Sequence, residues 1–341
     1  MDKTRKLLAI VAVVATAVPA LVACTSADAT STKNGVIALR YQGWTDQVTL
    51  PELADALGYF NGKVKLDWVG NTISGPQDIQ SAATGQTDFG GAFAGAVAKL
   101  VDAGAPIKAV VNYYGSDPKS FTGFYVPASS AIRKPADLIG KKIGVNTLGG
   151  QAEADIHDYL RRAGVSEADV KKVQLVPLPP PNTEDALKRG QIDVAGLTGQ
   201  FQQRAAADGY RLLFSDFQEY GPFNGGPYVF RTDFIAKHPD AVRAFVAGVA
   251  RAIEWERVTP RSQVIDEFTK LIAARHRANE DTSTLKYWQS VGVASKGGLL
   301  GNVDFTRWQS WLNDTGAVKG AVDAGKLWTN EFNPYATQGS K

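Results

Sequence analysis

The sequence holds one cysteine, Cys24, and three histidines in 341 residues. A lone cysteine excludes an intramolecular disulfide and any cysteine-built metal cluster. His157, His238 and His276 lie far apart and none sits in an H-E-x-x-H pattern, so a catalytic zinc site is not expected, nor is any other metal or cofactor. A G-x-S-x-G nucleophile turn is missing as well. Charge of one sign is also scarce: 37 basic residues face 34 acidic ones, without a basic stripe, which argues against nucleic acid as a partner. Beyond the N-terminus no long apolar run follows, so no second membrane segment is expected.

What is present begins with that N-terminus. Lys3, Arg5 and Lys6 precede an almost wholly apolar run from Leu7 to Ala23, which is short for a spanning helix and typical of a secretory signal. It ends in Leu21-Val22-Ala23-Cys24, which looks like a bacterial lipobox, where cleavage before the cysteine leaves its thiol to carry lipid. Residues 1–23 therefore read as a lipoprotein signal peptide, Cys24 as the lipid attachment and 24–35, small and polar, as a flexible tether. Two acyl chains would hold the protein at the extracytoplasmic face of the cell membrane. The remaining 318 residues, of net charge about +1, suffice for two domains.

Along the chain, strand and helix patterns alternate. Strands are expected at 36–41, 63–69, 88–90, 107–113 and 123–126, with helices at 50–57, 76–84 and 94–103 between them. A second block repeats the pattern: strands at 142–145, 172–177, 194–197 and 211–214, and helices at 135–138, 151–163, 183–189 and 201–207. A strand at 228–231 returns, and helices follow at 239–256, 261–275, 282–289 and 305–315. Such alternation predicts an α/β fold with parallel sheets. Crossings near Val126 and Gly225 make two lobes, 36–125 with 226–341 and 126–225, around a hinged cleft.

Four segments carry a resemblance: "TGQTDFGGAFAGAVAKLVDAGAPIKAVV" (84–111), "KPADLIGKKIGVNTLGGQAEADIHDYLRRAGV" (134–165), "DALKRGQIDVAGL" (185–197) and "RTDFIAKHPDAVRAFVAGVARAIEWER" (231–257). In spacing and order they resemble the solute-binding proteins of nitrate, sulfonate, taurine and related importers. The resemblance implies the two-lobe type II periplasmic-binding-protein fold and delivery of a solute to the transmembrane subunits of an ABC permease. The same fold resembles a thiamine-pyrimidine synthase, but that enzyme carries a cysteine-rich iron motif, and here the one cysteine is already assigned to lipid.

Candidate ligand contacts come from the strand-to-helix turns. "GKKIGVNTLGGQ" (140–151) approaches a P-loop but has Gly150 and Gln151 where Lys and Ser/Thr belong, so triphosphate binding is not expected. Asn146, Thr147, Gly149 and Gly150 instead suit a small anionic head group at a helix N-terminus. From the first lobe, Asn71, Ser74 and Gly75 are expected as contacts and Phe93 as an apolar wall, all at strand C-terminal ends where open α/β sheets bind ligands. Trp44 is the expected gatekeeper, with Tyr41, Tyr113 and Tyr114 nearby. Thr198 and Asn224 complete the set. Arg204 could reach a second anionic group of the ligand from the helix after Gly199, but a solvated helix face is the stronger expectation for it and for the carboxylate pairs Asp155 with Asp158 and Glu254 with Glu256. His157 is expected away from the ligand, and Trp255, Trp288, Trp308, Trp311 and Trp328 in the core.

The expectation is a monomeric lipid-anchored receptor that is not an enzyme and closes on a small organic anion, a sulfonate or an aromatic or aliphatic carboxylate. The alternatives are a thiamine-pyrimidine-type binder or enzyme on the same fold, or a ligand sensor docking on a membrane signalling protein.

Overall fold

A computed structural model describes residues 35–336. The signal, the lipobox with Cys24 and nearly all of the tether lie outside these residues. No helix among the described residues is long and apolar enough to cross a membrane.

The elements run β1 (Ile37–Gly43), α1 (Leu50–Ala56), β2 (Val64–Asn71), α2 (Gly75–Ala83), β3 (Phe89–Gly91), α3 (Ala94–Asp102), β4 (Ile107–Ser116) and β5 (Gly123–Val126). They continue with β6 (Lys142–Val145), α4 (Gln151–Arg162), α5 (Glu167–Val170), β7 (Gln174–Pro177), α6 (Pro180–Lys188), β8 (Val194–Leu197), α7 (Gly199–Ala207), β9 (Arg211–Ser215) and α8 (Asp216–Tyr220). After β10 (Phe223–Arg231) the chain is helical: α9 (Thr232–Lys237), α10 (Pro239–Val258), α11 (Arg261–Arg275), α12 (Asn302–Thr306), α13 (Gln309–Asp314) and α14 (Ala324–Leu327).

One lobe contains two small sheets, β1-β2 and β3-β10-β4. They share an apolar cluster in which Leu39 of β1, Phe89 of β3, Val110 of β4 and Phe230 of β10 pack against Phe245, Val249 and Ile253 of α10. Phe89 lies 4.5 Å from Phe245, ring centre to ring centre. The other lobe is a five-stranded sheet in the order β7-β6-β8-β5-β9, with separate clusters on Ile143, Ile156 and Phe214 and on Tyr125, Leu197 and Phe201.

The sheets are mixed rather than parallel. β1 with β2 and β6 with β7 and β8 are parallel, whereas β10 is antiparallel to β3 and β4 and β5 to β8 and β9. The antiparallel strands are those entered straight after a crossing, where no helix reverses the chain. Because β5 already pairs within the five-stranded sheet, the first crossing falls at 117–122, ahead of Val126, and the second lies just before Phe223.

The expected helix at 282–289 reduces to one tight turn, Leu285–Tyr287. The preceding acid competes for the backbone, Asp281 accepting from the Ser283 N–H at 2.8 Å, while Thr284 Oγ1 accepts from the Gln200 side chain. The expected helix at 305–315 divides into α12 and α13 around the fully buried Trp308.

Candidate ligand-binding site

Between the lobes lies a cavity of about 280 Å³. Six helices present their N-terminal ends to it: Thr49 and Leu50 of α1, Gly75 and Pro76 of α2, Phe93 before α3, Gly150 and Gln151 of α4, Pro180 of α6, and Thr198 to Gln200 of α7. Each helix adds a positive partial charge at that end, and first-turn N–H groups have no acceptor within their own helix, although α6 opens with Pro180 and Pro181, which carry no N–H. Among the lining residues there is no Lys, Arg or His. The electropositive character of this wall comes from backbone alone.

Local sequence fixes each end. At α1 the Thr49 hydroxyl accepts from the Glu52 N–H at 3.4 Å while the Glu52 carboxylate accepts from the Thr49 N–H at 2.8 Å, a reciprocal cap. That carboxylate also pairs with Arg277 at 2.7 Å and Arg275 at 3.1 Å and accepts from the Tyr41 hydroxyl at 2.8 Å. At α4, Gly149 adopts φ 70°, which turns β6 into the helix. Gln151, the first residue of α4, accepts from the Tyr114 hydroxyl at 2.9 Å and donates to Asp216 at 2.8 Å. Asp216 also accepts from Ser116 Oγ at 2.8 Å and from the Thr122 N–H at 3.0 Å. Its burial pushes the carboxyl up to about 6, against those hydrogen bonds, which lower it. The start of α4 is thus tied to both crossings.

The lobes meet at the cavity rim. Ser74 Oγ donates to Thr147 Oγ1 at 3.0 Å, and Gln200 Nε2 donates to the Asp46 carbonyl at 3.0 Å and to Thr284 Oγ1 at 2.7 Å.

Of the residues singled out in the sequence, Trp44, Gly75, Phe93, Tyr113, Asn146, Thr147, Gly150 and Thr198 come together on the lining. Tyr113 stacks on Tyr228 at 4.2 Å, and burial raises both hydroxyls well above the ordinary value. Four others are spent elsewhere. Ser74 caps α2 through Gln77 N and bridges to Thr147. Asn71 holds Trp68 Nε1 at 3.1 Å and Thr45 at 3.2 Å on the exposed rim. The Gly149 N–H is taken by Glu153 at 2.8 Å. Asn224 accepts from the Ala294 and Ser295 N–H groups at 3.1 Å and donates to Asp304, pinning the 294–304 segment to β10. Tyr41 likewise belongs to the core, stacked on Phe89.

Several residues expected in solvent are buried. Asp155 has no hydrogen-bond partner for either oxygen, and burial with the neighbouring Asp216 raises its carboxyl well above the ordinary range. Asp158 accepts from the Tyr220 hydroxyl at 3.0 Å. His157 packs between α5 and α13, 3.3 Å from Glu167 and 3.8 Å from Asp314, and the adjoining Asp158 carboxylate raises its pKa. Arg204 does not line the cavity; it pairs with Glu184 at 2.6 Å. Trp308 and Trp311 are core, as expected, but Trp288 reaches the lining beside Phe268, Leu285 and Val291. Glu256, expected in solvent, also lines the cavity and is the only charged-type side chain that does.

Residues 48–262 match the sequence pattern of the family described as NMT1/THI5 like. A Brucella abortus protein named as a binding protein is 27% identical over 215 residues, 61% of this chain and 62% of its own length. The taurine-binding periplasmic protein of Escherichia coli is 28% identical over 221 residues, 60% of this chain and 63% of its own. The chain thus spans less than two thirds of the length of these relatives. The alkanesulfonate-binding protein of Xanthomonas axonopodis, solved with MOPS bound, superimposes with TM-score 0.65 at 22% identity, over 85% of this chain and 98% of that one. The nitrate-binding protein of Synechocystis gives TM-score 0.67 at 12% identity over 92% and 90%. A desulfurization enzyme shares the fold too, with TM-score 0.58 at 15% identity over 89% and 99%. These structures establish the two-lobe periplasmic-binding fold, and the match over 48–262 establishes that the chain belongs to the NMT1/THI5-like family.

Proposed function

We propose that this protein is an extracytoplasmic solute-binding lipoprotein of an ABC importer, anchored through Cys24, which closes its lobes on a small organic anion and hands it to the permease. The observation that carries the reading is the convergence of six helix N-termini on one cavity without a basic side chain. Many fixed partial charges suit a compact sulfonate or carboxylate head, which hydrogen-bonds N–H groups from several directions. Trp44, Phe93, Tyr113, Tyr228 and Trp288 supply an apolar wall for an organic body. The naming of relatives as binding proteins, one of them for taurine, supports a binding role over turnover.

Because the wall draws on both lobes, a bound anion favours the closed form, and its release requires breaking the Ser74–Thr147 and Gln200 bonds. A thermal-shift screen against alkyl and aryl sulfonates, nitrate, benzoates, phthalates and pyrimidines tests the reading. One anion class should raise the melting temperature, by roughly 2.7 kcal/mol of stabilisation at 100 times its dissociation constant. No shift with any anion, on folded and ligand-free protein, would contradict it.

A further inference from the structure

Away from the cavity, His157 stands about two turns down α4 from Gln151. It is only 6% exposed, and neither ring nitrogen makes a hydrogen bond. Three carboxylates surround it all the same. Nε2 lies 3.3 Å from Glu167 Oε1 in α5 and 3.8 Å from Asp314 Oδ2 at the end of α13, while Nδ1 lies 3.6 Å from Asp158 Oδ1. Two ligands held about 2.0–2.1 Å from a tetrahedral ion stand roughly 3.3–3.4 Å apart, close to the spacings at Nε2. One donor atom from each of His157, Glu167 and Asp314 lies within 4.8 Å of the other two. Glu167 and Asp314 are both partly exposed, so small rotations close that triangle and solvent has a way in. Asp158, steadied by the Tyr220 hydroxyl at 3.0 Å, faces the other ring nitrogen. A carboxylate in that position holds the proton on Nδ1 and leaves the Nε2 lone pair for an ion.

We infer that His157, Glu167 and Asp314 form a binding site for a divalent transition-metal ion of the zinc class, with water in the remaining position. An imidazole ligand favours such an ion over Mg²⁺ and Ca²⁺, which take oxygen donors. The donors come from both lobes. α4 and α5 follow β6 in the five-stranded lobe, whereas Trp311 and Leu312 of α13 are buried with Val97 of α3 and Val229 of β10 in the other. A bound ion therefore ties α4, whose first turn faces the cavity, to the opposite lobe. None of the three ligands lines the cavity, so the site stands or falls separately from the anion reading. One side chain competes with the ion: Arg161 Nε lies 3.1 Å from Asp314 Oδ2.

The test is isothermal titration of chelator-treated protein with Zn²⁺. One Zn²⁺ should bind per chain and raise the melting temperature, and Mg²⁺ or Ca²⁺ at the same concentration should do neither. Glu167→Gln and Asp314→Asn, both at partly exposed positions, should each weaken Zn²⁺ binding by about tenfold or more. Arg161→Gln should leave it equal or tighter, because the competitor for Asp314 Oδ2 is gone. Folded protein without saturable Zn²⁺ binding, an affinity that Glu167→Gln leaves unchanged, or an equal response to Mg²⁺ or Ca²⁺ overturns the inference. A loss on Arg161→Gln as large as that on Glu167→Gln would trace the effect to packing between α4 and α13, and overturns it too.

Discussion

The two poles of the cavity are built from different materials. At the strand-end pole, positive potential is spread over six helix N-termini, and the side chains there are small or neutral, such as Gly75, Gly150, Thr147 and Thr198. At the α10 pole the one ionisable side chain is Glu256, whose carboxyl burial pushes up to about 8, so that it is mostly neutral at pH 7. A pole built from backbone is altered only by moving the backbone. A pole built from one carboxyl is altered by one substitution, and its charge state follows pH.

The harshest way to break that contrast is to move the backbone. Gly149 sits at φ 70°, a conformation closed to proline, whose ring fixes φ near −65°. Gly149→Pro also removes the N–H that Glu153 accepts from, so the start of α4 shifts. Affinity for any anionic probe should fall about 100-fold, ~2.7 kcal/mol, with the far-ultraviolet spectrum retained; unchanged affinity would remove α4 from the site.

A pH effect on stability is expected at the other pole. Glu256 is raised in the folded state to about 8 from an ordinary 4.5. Below 4.5 the carboxyl is protonated in both folded and unfolded chains and exerts no penalty. Between these values the unfolded carboxyl ionises while the folded one keeps its proton, so stability falls with rising pH by up to roughly 1.4 kcal/mol per unit. Relative to Glu256→Gln, the unliganded protein should therefore lose melting temperature between pH 5 and pH 8. Parallel curves would mean that Glu256 is solvated.

Gln151→Ala probes the struts instead of the poles. It deletes the bonds to Tyr114 and Asp216 that orient the first turn of α4, and about a tenfold loss of anion affinity should follow, ~1.4 kcal/mol. The smallest effect is reserved for Arg204→Ala. That guanidinium is engaged with Glu184 and does not line the cavity, so titration of the same anion should give a dissociation constant within about twofold. A large loss there would show that the anion rests on a side chain after all.

Much of the backbone-built pole was legible in the sequence, because a glycine-rich strand-to-helix turn has local markers. Thr147, Gly150, Gly75 and Phe93 followed from them. The same markers do not say which neighbouring group already occupies a donor, so Gly149, held by Glu153, and Ser74, held by Gln77 and Thr147, looked available when they are not. Asn224 failed for a related reason: its partners Asp304 and Ser295 lie some 70 to 80 positions away. Glu256 did have a signal that went unused. Val242, Val246, Val249 and Ile253 form the buried stripe of α10, and Glu256 continues it at the next turn. Reading Glu254 and Glu256 as one solvated pair hid that they lie on different faces. The strand directions were the least legible part, since alternation of strand and helix does not reveal that β5 and β10 enter their sheets directly from a crossing.

The most direct test of the central claim is a crystal structure of the protein with the tightest-binding sulfonate or carboxylate from the screen. The account predicts the acidic head within hydrogen-bond distance, about 2.7–3.2 Å, of first-turn N–H groups at the N-termini lining the cavity, α4 among them, with the lobes closed around it. An acidic head held instead by a basic side chain, or seated away from those helix ends, would contradict it.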